Sequence, residues 1–532
     1  MIQKTARLWW VALLVGWSFD FLFWGKFPGV SMLIFVTITI VAGLWLAYRE
    51  KRAPSRNSLW LLLPILLFAV GTFVRREPFT SFTNYMLVIF LMALLAQTFL
   101  GGRWLNYSLS DFVAGFLILL VHAISKPVSV FWMQKSEDQE DSVEDTGRPS
   151  RLQRSLPILR GLLLAVPIVL VFGALLASAD PIFSGYVEDL FRIFDIDNLA
   201  EYLFRGFMVL VLGYLLSGVY AHALLESGDE KLIGLEKPWL PRFLGSTESS
   251  IILGSVDALF AVFVIIQFAY FFGGQSNIHL EGYTYAEYAR RGFGELVVVS
   301  FFSLLLFLGL STITRREKPT QRKVFSALGV GLMLLVSVIL ISAFRRLLLY
   351  ESAYGFTRQR SYAHSFMIWL GLLLLMVVLL EIFGKQRAFA LAVIAAALGF
   401  VLTLNILNVD GTIVRQNVQR AELGWELDDY YLNSLSVDAT PALLDAYQNA
   451  LISPTDRSEI AAILACQKTI LAEDQAEQSW QSFHFAEERA ARMLNEVPSF
   501  EGVQLFQADG EIWWVVVNGE ERPCSFNSWG MD

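Results

Sequence analysis

The residues of this 532-residue chain best suited to chemistry fall in four short polar blocks. Asp180 closes ALLASADPIF. Tyr288, Arg290, Arg291 and Glu295 crowd the stretch GYTYAEYARRGFGEL. Arg345, Arg346, Tyr350, Glu351, Tyr354, Arg358 and Arg360 belong to FRRLLLYESAYGFTRQR. Asn405, Asn408, Asp410, Arg415 and Asn417 lie in TLNILNVDGTIVRQN. Guanidinium groups hold phosphate or carboxylate, and a carboxylate such as Glu295 beside them is suited to act as a general base. Each block also has a plain structural reading. Asp180 would cap a helix that begins at Pro181. Arg291 and Glu295 would form an i,i+4 pair. The arginines and tyrosines of the third block would snorkel and form an interfacial belt.

These residues must be positioned by membrane helices. The chain is 55% hydrophobic and 17% charged, with mean hydropathy +0.52, where soluble domains carry about 25% charged residues. The apolar residues run in blocks of about 20, the length that crosses roughly 30 Å of hydrocarbon as a helix. Barrel strands would instead alternate. The sequence therefore predicts a mainly α, polytopic transmembrane helical bundle with a small soluble α+β C-terminal domain.

About twelve spans are expected, near 8–25, 29–48, 59–75, 82–100, 110–132, 157–179, 202–225, 250–273, 294–313, 324–344, 362–383 and 388–407. The first lacks a small-residue cleavage site and reads as a retained helix. Thr284 and Glu287 form a capping box, so a helix should start at Tyr285 and run unbroken into the span at 294, with Tyr288, Arg291, Gly292 and Glu295 on one face. Asp257, inside IILGSVDALFAVFVIIQF, is an intramembrane acid whose burial costs about 2.5–3.5 kcal/mol on insertion scales.

The positive-inside rule places both Arg49–Arg56 and Arg315–Lys323 in the cytoplasm. The span count then disagrees by one crossing, which a re-entrant or missed segment between 57 and 133 would reconcile. Loops 180–201, 274–293, 345–361 and everything after 407 share the opposite side by span parity, so the four polar blocks converge on one outer face. Phe183, Val187, Leu190, Phe191 and Phe194 line one face of an amphipathic helix there. The expected organisation is N-terminal membrane helices (1–133), an acidic disordered linker (134–156), a membrane core (157–407) and a soluble domain (408–532).

The C-terminal 125 residues carry 21 acidic and 7 basic side chains, net −14, which leaves +6 for residues 1–407 against −8 overall. Nucleic acid is not a partner such a tail suggests. Thr440-Pro441 and Ser453-Pro454 read as helix starts, with a third helix over His484–Asn495. VQLFQ, EIWWVVV and the turns Asp509-Gly510 and Asn518-Gly519 read as a three-stranded unit. Cys466 and Cys524 are the only cysteines. Two readings stand for them: a disulfide, if the tail faces an oxidising compartment, or two buried thiols acting as small apolar residues.

No phosphate loop, HExxH, GxSxG or CxxC occurs, and five histidines (122, 222, 279, 364, 484) show no metal-ligand spacing, so neither a metal nor a cofactor is expected. A membrane glycosyltransferase would carry acids in a large first outer loop, which here is about three residues long.

The blocks ASADPIF (177–183), YARRGFGEL (288–296), LYESAYGFTRQR (349–360) and NVDGTIVRQN followed by YYLNSLSVDATPAL (430–443) resemble, in this order, a family of bacterial multi-pass membrane proteins known only as a domain of unknown function. The resemblance covers about residues 155–445. It implies the fold and a bacterial inner-membrane location, and no activity.

Three functions compete: an envelope scaffold or sensor whose tail recognises an envelope protein; a transporter or lipid-handling protein; and an enzyme acting on a lipid-linked ligand. Membrane lipids are partners in all three, and the oligomeric state is left open. An open cavity of roughly several hundred cubic ångströms at the polar blocks would favour the last two, and closed pairs the first.

Overall fold

The structure is a computed structural model that describes residues 5–140, 198–228, 241–272, 292–449, 451–508 and 512–524, with scattered positions between 165 and 185. In hydrocarbon an apolar run satisfies its backbone only as a helix or in a closed barrel, and eleven helices long and apolar enough to cross a membrane occur among the described residues. They are α1 (Thr5–Phe23), α2 (Val30–Arg49), α3 (Arg56–Val74), α4 (Pro78–Thr98), α5 (Leu109–Glu140), α6 (Leu199–Leu225), α7 (Ser246–Phe272), α8 (Phe293–Ile313), α9 (Pro319–Tyr354), α10 (Arg358–Ile382) and α11 (Phe389–Leu407). The chain is a multi-pass membrane protein. The expected span 157–179, and the amphipathic helix beyond residue 185, lie almost wholly outside the described residues.

Three details differ from the sequence expectation. Helix α8 begins at Phe293 with Gly292, at φ +95°, as its N-cap, a conformation glycine adopts without steric cost, so no unbroken helix runs into this span; Tyr285 to Arg291 lie outside the described residues. Arg345 to Tyr354, expected in a loop, are helical: α9 continues to Tyr354 and turns at Gly355, φ +80°. Helix α5 runs through Glu140, into the stretch expected to be disordered linker; residues 141–164 lie outside the described ones. Between 57 and 133 no re-entrant segment appears, only a single 3-10 turn, Trp104–Asn106.

The chain divides into two units. The first comprises Met1–Gly25, Thr37–Ala53 and Ile118–Ser227. There Arg205 of α6 grips Asp20 of α1 with three hydrogen bonds (Nε–Oδ1 3.0 Å, Nε–Oδ2 3.3 Å, Nη2–Oδ2 2.7 Å), and Lys126 meets Glu226 at 2.5 Å.

The second unit, Lys26–Val36, Pro54–Leu117 and Gly228–Asp532, holds the larger cores. Leu253, Phe307, Phe325, Met333, Val336 and Leu374 fill the space among α7, α8, α9 and α10. Past α11 follow α12 (Val409–Glu422), α13 (Asp429–Asn433), α14 (Thr440–Gln448), α15 (Pro454–Glu477) and α16 (Phe485–Asn495). Strands β1 (Gln504–Ala508), β2 (Ile512–Val517) and β3 (Glu520–Pro523) form an antiparallel sheet in that order. Ser453 caps α15 by accepting from Asp456 N at 3.0 Å. Asn518 and Gly519, at φ +53° and +83°, supply the tight turn between β2 and β3. Cys466 of α15 and Cys524 after β3 form a disulfide, Cα–Cα 5.4 Å, among buried Ala462, Val515 and Val517.

The tail is not a tethered bead. Its core of Ile413, Val414, Leu432, Leu443, Ile460 and Leu464 is continuous with Leu404 of α11, and Phe356, Tyr362 and Phe400 pack on it. Burying that seam seats the C-terminal domain on the ends of α10 and α11.

Candidate functional site

The densest polar cluster of the second unit lies under this seam, and it starts from three residues in the connection between α3 and α4. Arg75, Arg76 and Glu77 precede Pro78, the first residue of α4. Glu77 is the N-cap: its carboxylate accepts from Phe79 N (2.9 Å), Thr80 N (2.8 Å) and the Thr80 hydroxyl (2.5 Å). Tyr362 of α10 donates its hydroxyl to the same group. Caps satisfy the orphan N–H groups of a first turn; this one also ties α4 to α10.

Asp438, from the 3-10 turn before α14, comes to the same place. It accepts from Arg76 N at 2.7 Å and Glu77 N at 2.8 Å, with the Arg75 guanidinium 3.6 Å away. Arg75 Nε donates in turn to Asn405 O, 2.8 Å. The Asn405 and Asn84 side chains exchange a reciprocal amide pair at 3.0 and 2.9 Å. Gly71 of α3 makes the room, since a Cβ there would lie 2.7 Å from Asn405 Oδ1 and 2.8 Å from Asn84 Nδ2. Arg76 Nε lies 2.7 Å from a Glu487 carboxylate oxygen, at contact distance but not in hydrogen-bond alignment. Arg76 Nη1 lies 3.5 Å from His484 Nε2.

The second half of the cluster joins α10 to α12. Asp410 is fully buried and receives Arg358 in a two-point grip, Nε–Oδ1 2.8 Å and Nη2–Oδ2 2.6 Å, with Ser436 N donating to Oδ2 at 2.7 Å. Arg358 N donates to the Tyr431 hydroxyl, 2.7 Å. Asn408, left-handed at φ +48°, accepts from Gly411 N and donates to Asp438 O at 2.9 Å. Asn417 closes both polar groups of the Phe356 backbone at 2.9 Å each.

Burial pushes the Asp438 carboxyl up to about 6 although Arg75 pulls against it. Burial, then the Arg76 charge, pushes His484 down to about 4. Tyr431 is raised by burial. A space of about 110 Å³ lies at the junction, lined by Val74, Arg75, Asn408, Val437, Asp438, Pro441, Phe485, Ala486 and Arg489. The arrangement is a set of satisfied pairs, and no three potential metal ligands come together among the described residues.

The other sequence-predicted residues separate into groups. Arg346 is buried on α9, its Nη2 3.1 Å from Gln267 Oε1, and a Cβ on Gly292 would sit 2.8 Å from its Nη1. Tyr350 packs near Phe293 (ring centroids 6.2 Å) and Tyr354 (5.1 Å), with the Arg360 guanidinium 4.0 Å above its ring. Glu351 is buried against His364, 3.0 Å. Arg345 is exposed on α9. Glu295 is exposed in the first turn of α8 and makes no ion pair with a described residue. Tyr288, Arg290 and Arg291 lie outside the described residues. Asp180, in the first unit, is exposed and caps locally, Oδ1 to Ile182 N 2.8 Å. Asp257 stays on α7, with Oδ1 buried and without a hydrogen-bond partner among the described residues.

Sequence reasoning therefore named Arg358, Asn408 and Asp410 but missed Arg75, Arg76, Glu77, Tyr362 and Asp438. A signal for the first three was present: Arg-Arg-Glu-Pro between two spans is a charged turn with a capping acid before proline.

The profile of a family described as "Domain of unknown function (DUF4153)" matches residues 62–446. The chain belongs to this family. The DUF4153 match begins within α3 rather than near residue 155, so it takes in the Arg75–Glu77 turn as well as Arg358, Asp410 and Asp438. His484, Glu487, the disulfide and the sheet lie beyond it. No curated protein and no solved structure matches the chain.

Proposed function

We propose that this protein is a non-enzymatic scaffold or sensor of a bacterial inner membrane, which holds its C-terminal domain on the extracytoplasmic side for an envelope protein partner. The observation that carries this reading is the closed junction: Asp410, Asp438 and Glu77 are consumed in holding the domain to α4, α10 and α11, and the space that Asp438 lines holds only about 110 Å³. A buried pair is weak evidence for net stability but good evidence for one specified arrangement. With the cationic loop Arg315–Lys323 inside, the crossings α9, α10 and α11 put the tail outside, and the Cys466–Cys524 disulfide is chemistry suited to an oxidising compartment.

A fixed domain can present a surface. On it a groove of about 640 Å³ runs between α15 and the sheet, with Lys468, Thr469, Glu473, Phe500, Leu505 and Trp513 in its walls. An extended segment of the partner fits such a mixed apolar and charged groove. Two measurements test the reading. A periplasm-dependent reporter fused after Asp532 should be active; activity of only a cytoplasmic reporter overturns the orientation. A photo-crosslinking residue at position 469 should give one discrete protein adduct in cells, abolished by Trp513→Ala. Adducts to lipid alone would sink the scaffold reading.

One observation favours a transport reading: the Asp257 Oδ1 buried without a partner in α7, as a proton or cation relay would require. Loss of growth-linked function in Asp257→Asn at unchanged protein abundance would support transport; an unaltered phenotype counts against it.

A further inference from the structure

At the end of the second unit away from the C-terminal domain, the connections before α5, α7, α9 and α11 gather around a pocket of about 540 Å³. Its cations are Arg242, Arg316, Lys385 and Arg387, and no carboxylate is among its lining residues. We propose that this pocket binds a phosphate-bearing anion, either the headgroup of an anionic lipid or a soluble phosphorylated compound.

The cations are placed there by the backbone. Leu244 and Thr314 form a parallel bridge, with Arg315 N donating to Leu244 O at 2.9 Å, which brings Arg242 to the α8–α9 connection that carries Arg316. Arg316 is buried, hydrogen-bonded from Nη2 to Ser311 O at 2.6 Å, and lies 4.4 Å over the Phe325 ring. It forms no ion pair among the described residues. Burial, with Arg242 and Arg322 nearby, disfavours its charge, and Glu381 supports it. That acid is not among the lining residues; its Oε1 accepts from Ser326 (2.5 Å) and Gln386 (2.8 Å), and its Oε2 is buried without a hydrogen-bond partner among the described residues.

The remaining wall suits an anion as well. Helix α11 runs on from a 3-10 turn, Gln386–Ala388, which takes up its first N–H (Phe389 N to Gln386 O), so this helix start offers the pocket the positive end of its dipole beside Lys385 and Arg387. Like charges gathered in a partly desolvated space repel one another unless a counter-charge joins them. The Ser311 hydroxyl, which accepts from Arg316 Nη2 at 3.3 Å, keeps its proton to donate, and Leu308 and Phe389 provide apolar contact. A doubly charged phosphate group meets these demands with bidentate arginine contacts, and basic pockets between membrane helices are known to take lipid headgroups.

The test uses the full chain in phosphatidylcholine nanodiscs with and without phosphatidylglycerol, and in detergent with inorganic phosphate as a competitor. The double variant Lys385→Ala, Arg387→Ala changes two exposed side chains and should fold. The Lys318→Ala, Lys323→Ala pair makes an equal charge change at the same end outside the pocket. Retention of phosphatidylglycerol by native mass spectrometry should fall about tenfold or more in the pocket variant and little in the control. If inorganic phosphate displaces the lipid and raises the unfolding temperature of wild type but not of the pocket variant, a soluble phosphate compound is the ligand. If only the lipid binds, the headgroup is. Equal retention by wild type, pocket variant and control overturns the proposal.

Discussion

The two ends of the second unit use the same residue types to opposite purposes. Under the C-terminal domain, Arg358, Arg75 and Arg76 each meet a carboxylate delivered from a distant part of the chain: Asp410, Asp438 and Glu487. At the other end, Arg242, Arg316, Lys385 and Arg387 share a space, and none of them forms an ion pair with a described residue. The difference teaches that an arginine at a helix mouth is a brace or a ligand holder according to what another segment brings to it. Its position in the sequence does not decide.

The sharpest way to break this comparison is to remove one half of the tightest brace. Arg358→Ala leaves Asp410 buried without its counter-charge and should cost about 3–5 kcal/mol, read as denaturant unfolding in detergent. Pairing it with Asp410→Ala should recover part of the loss. A single-variant cost below about 0.5 kcal/mol, the size of an ordinary surface change, would mean that the junction is no brace.

The disulfide comes next. It closes a 58-residue separation, and changing both Cys466 and Cys524 to Ser should lower the stability of the C-terminal domain by about 2–4 kcal/mol. Protease resistance of the tail should fall while the membrane helices stay intact. An unchanged digestion pattern would show that the core alone holds the domain.

A smaller effect follows from Asp438 and His484. The folded Asp438 holds its proton up to about 6 where an unperturbed Asp loses it near 3.8, so its contribution to stability falls as pH rises through that window. The folded His484 takes up its proton only near 4, against 6.5 when unperturbed, so its contribution grows as pH rises between those values. The two slopes oppose each other in the wild type. His484→Gln should therefore lose stability as pH goes from 4 to 6, and Asp438→Asn should gain it. Identical melting profiles for the two variants across this range would contradict the assignment.

The smallest effect belongs to the pocket. Lys385→Ala with Arg387→Ala should leave ligand-free stability within about 0.5 kcal/mol of wild type, since both are exposed and make no ion pair with a described residue. A loss as large as that expected for Arg358→Ala would mean that both ends are braces.

The membrane helices were legible because hydrocarbon imposes one length and one backbone solution, so an apolar run names its own structure. Glycines set two boundaries that the pattern did not show: Gly292, at φ +95°, fixes the start of α8 at Phe293, and Gly355, at φ +80°, ends α9 after Tyr354. Arg358 and Asp410 could each be picked out as polar groups at helix mouths, but they are 52 residues apart and nothing local links them. Glu77 and Asp438 were overlooked because a lone acid beside a span reads as solvated until a second segment buries it.

By itself the sequence determined a multi-pass helical protein, the approximate place of its spans, and a small α+β tail with an acidic surface. Those properties follow from short-range rules: helical rise, cap chemistry, turn residues and the cost of unpaired backbone in lipid. Only the tertiary structure decided which charges are spent on each other and which remain for a ligand. Pairing depends on bringing segments hundreds of residues apart within three ångströms, and no local pattern encodes that distance.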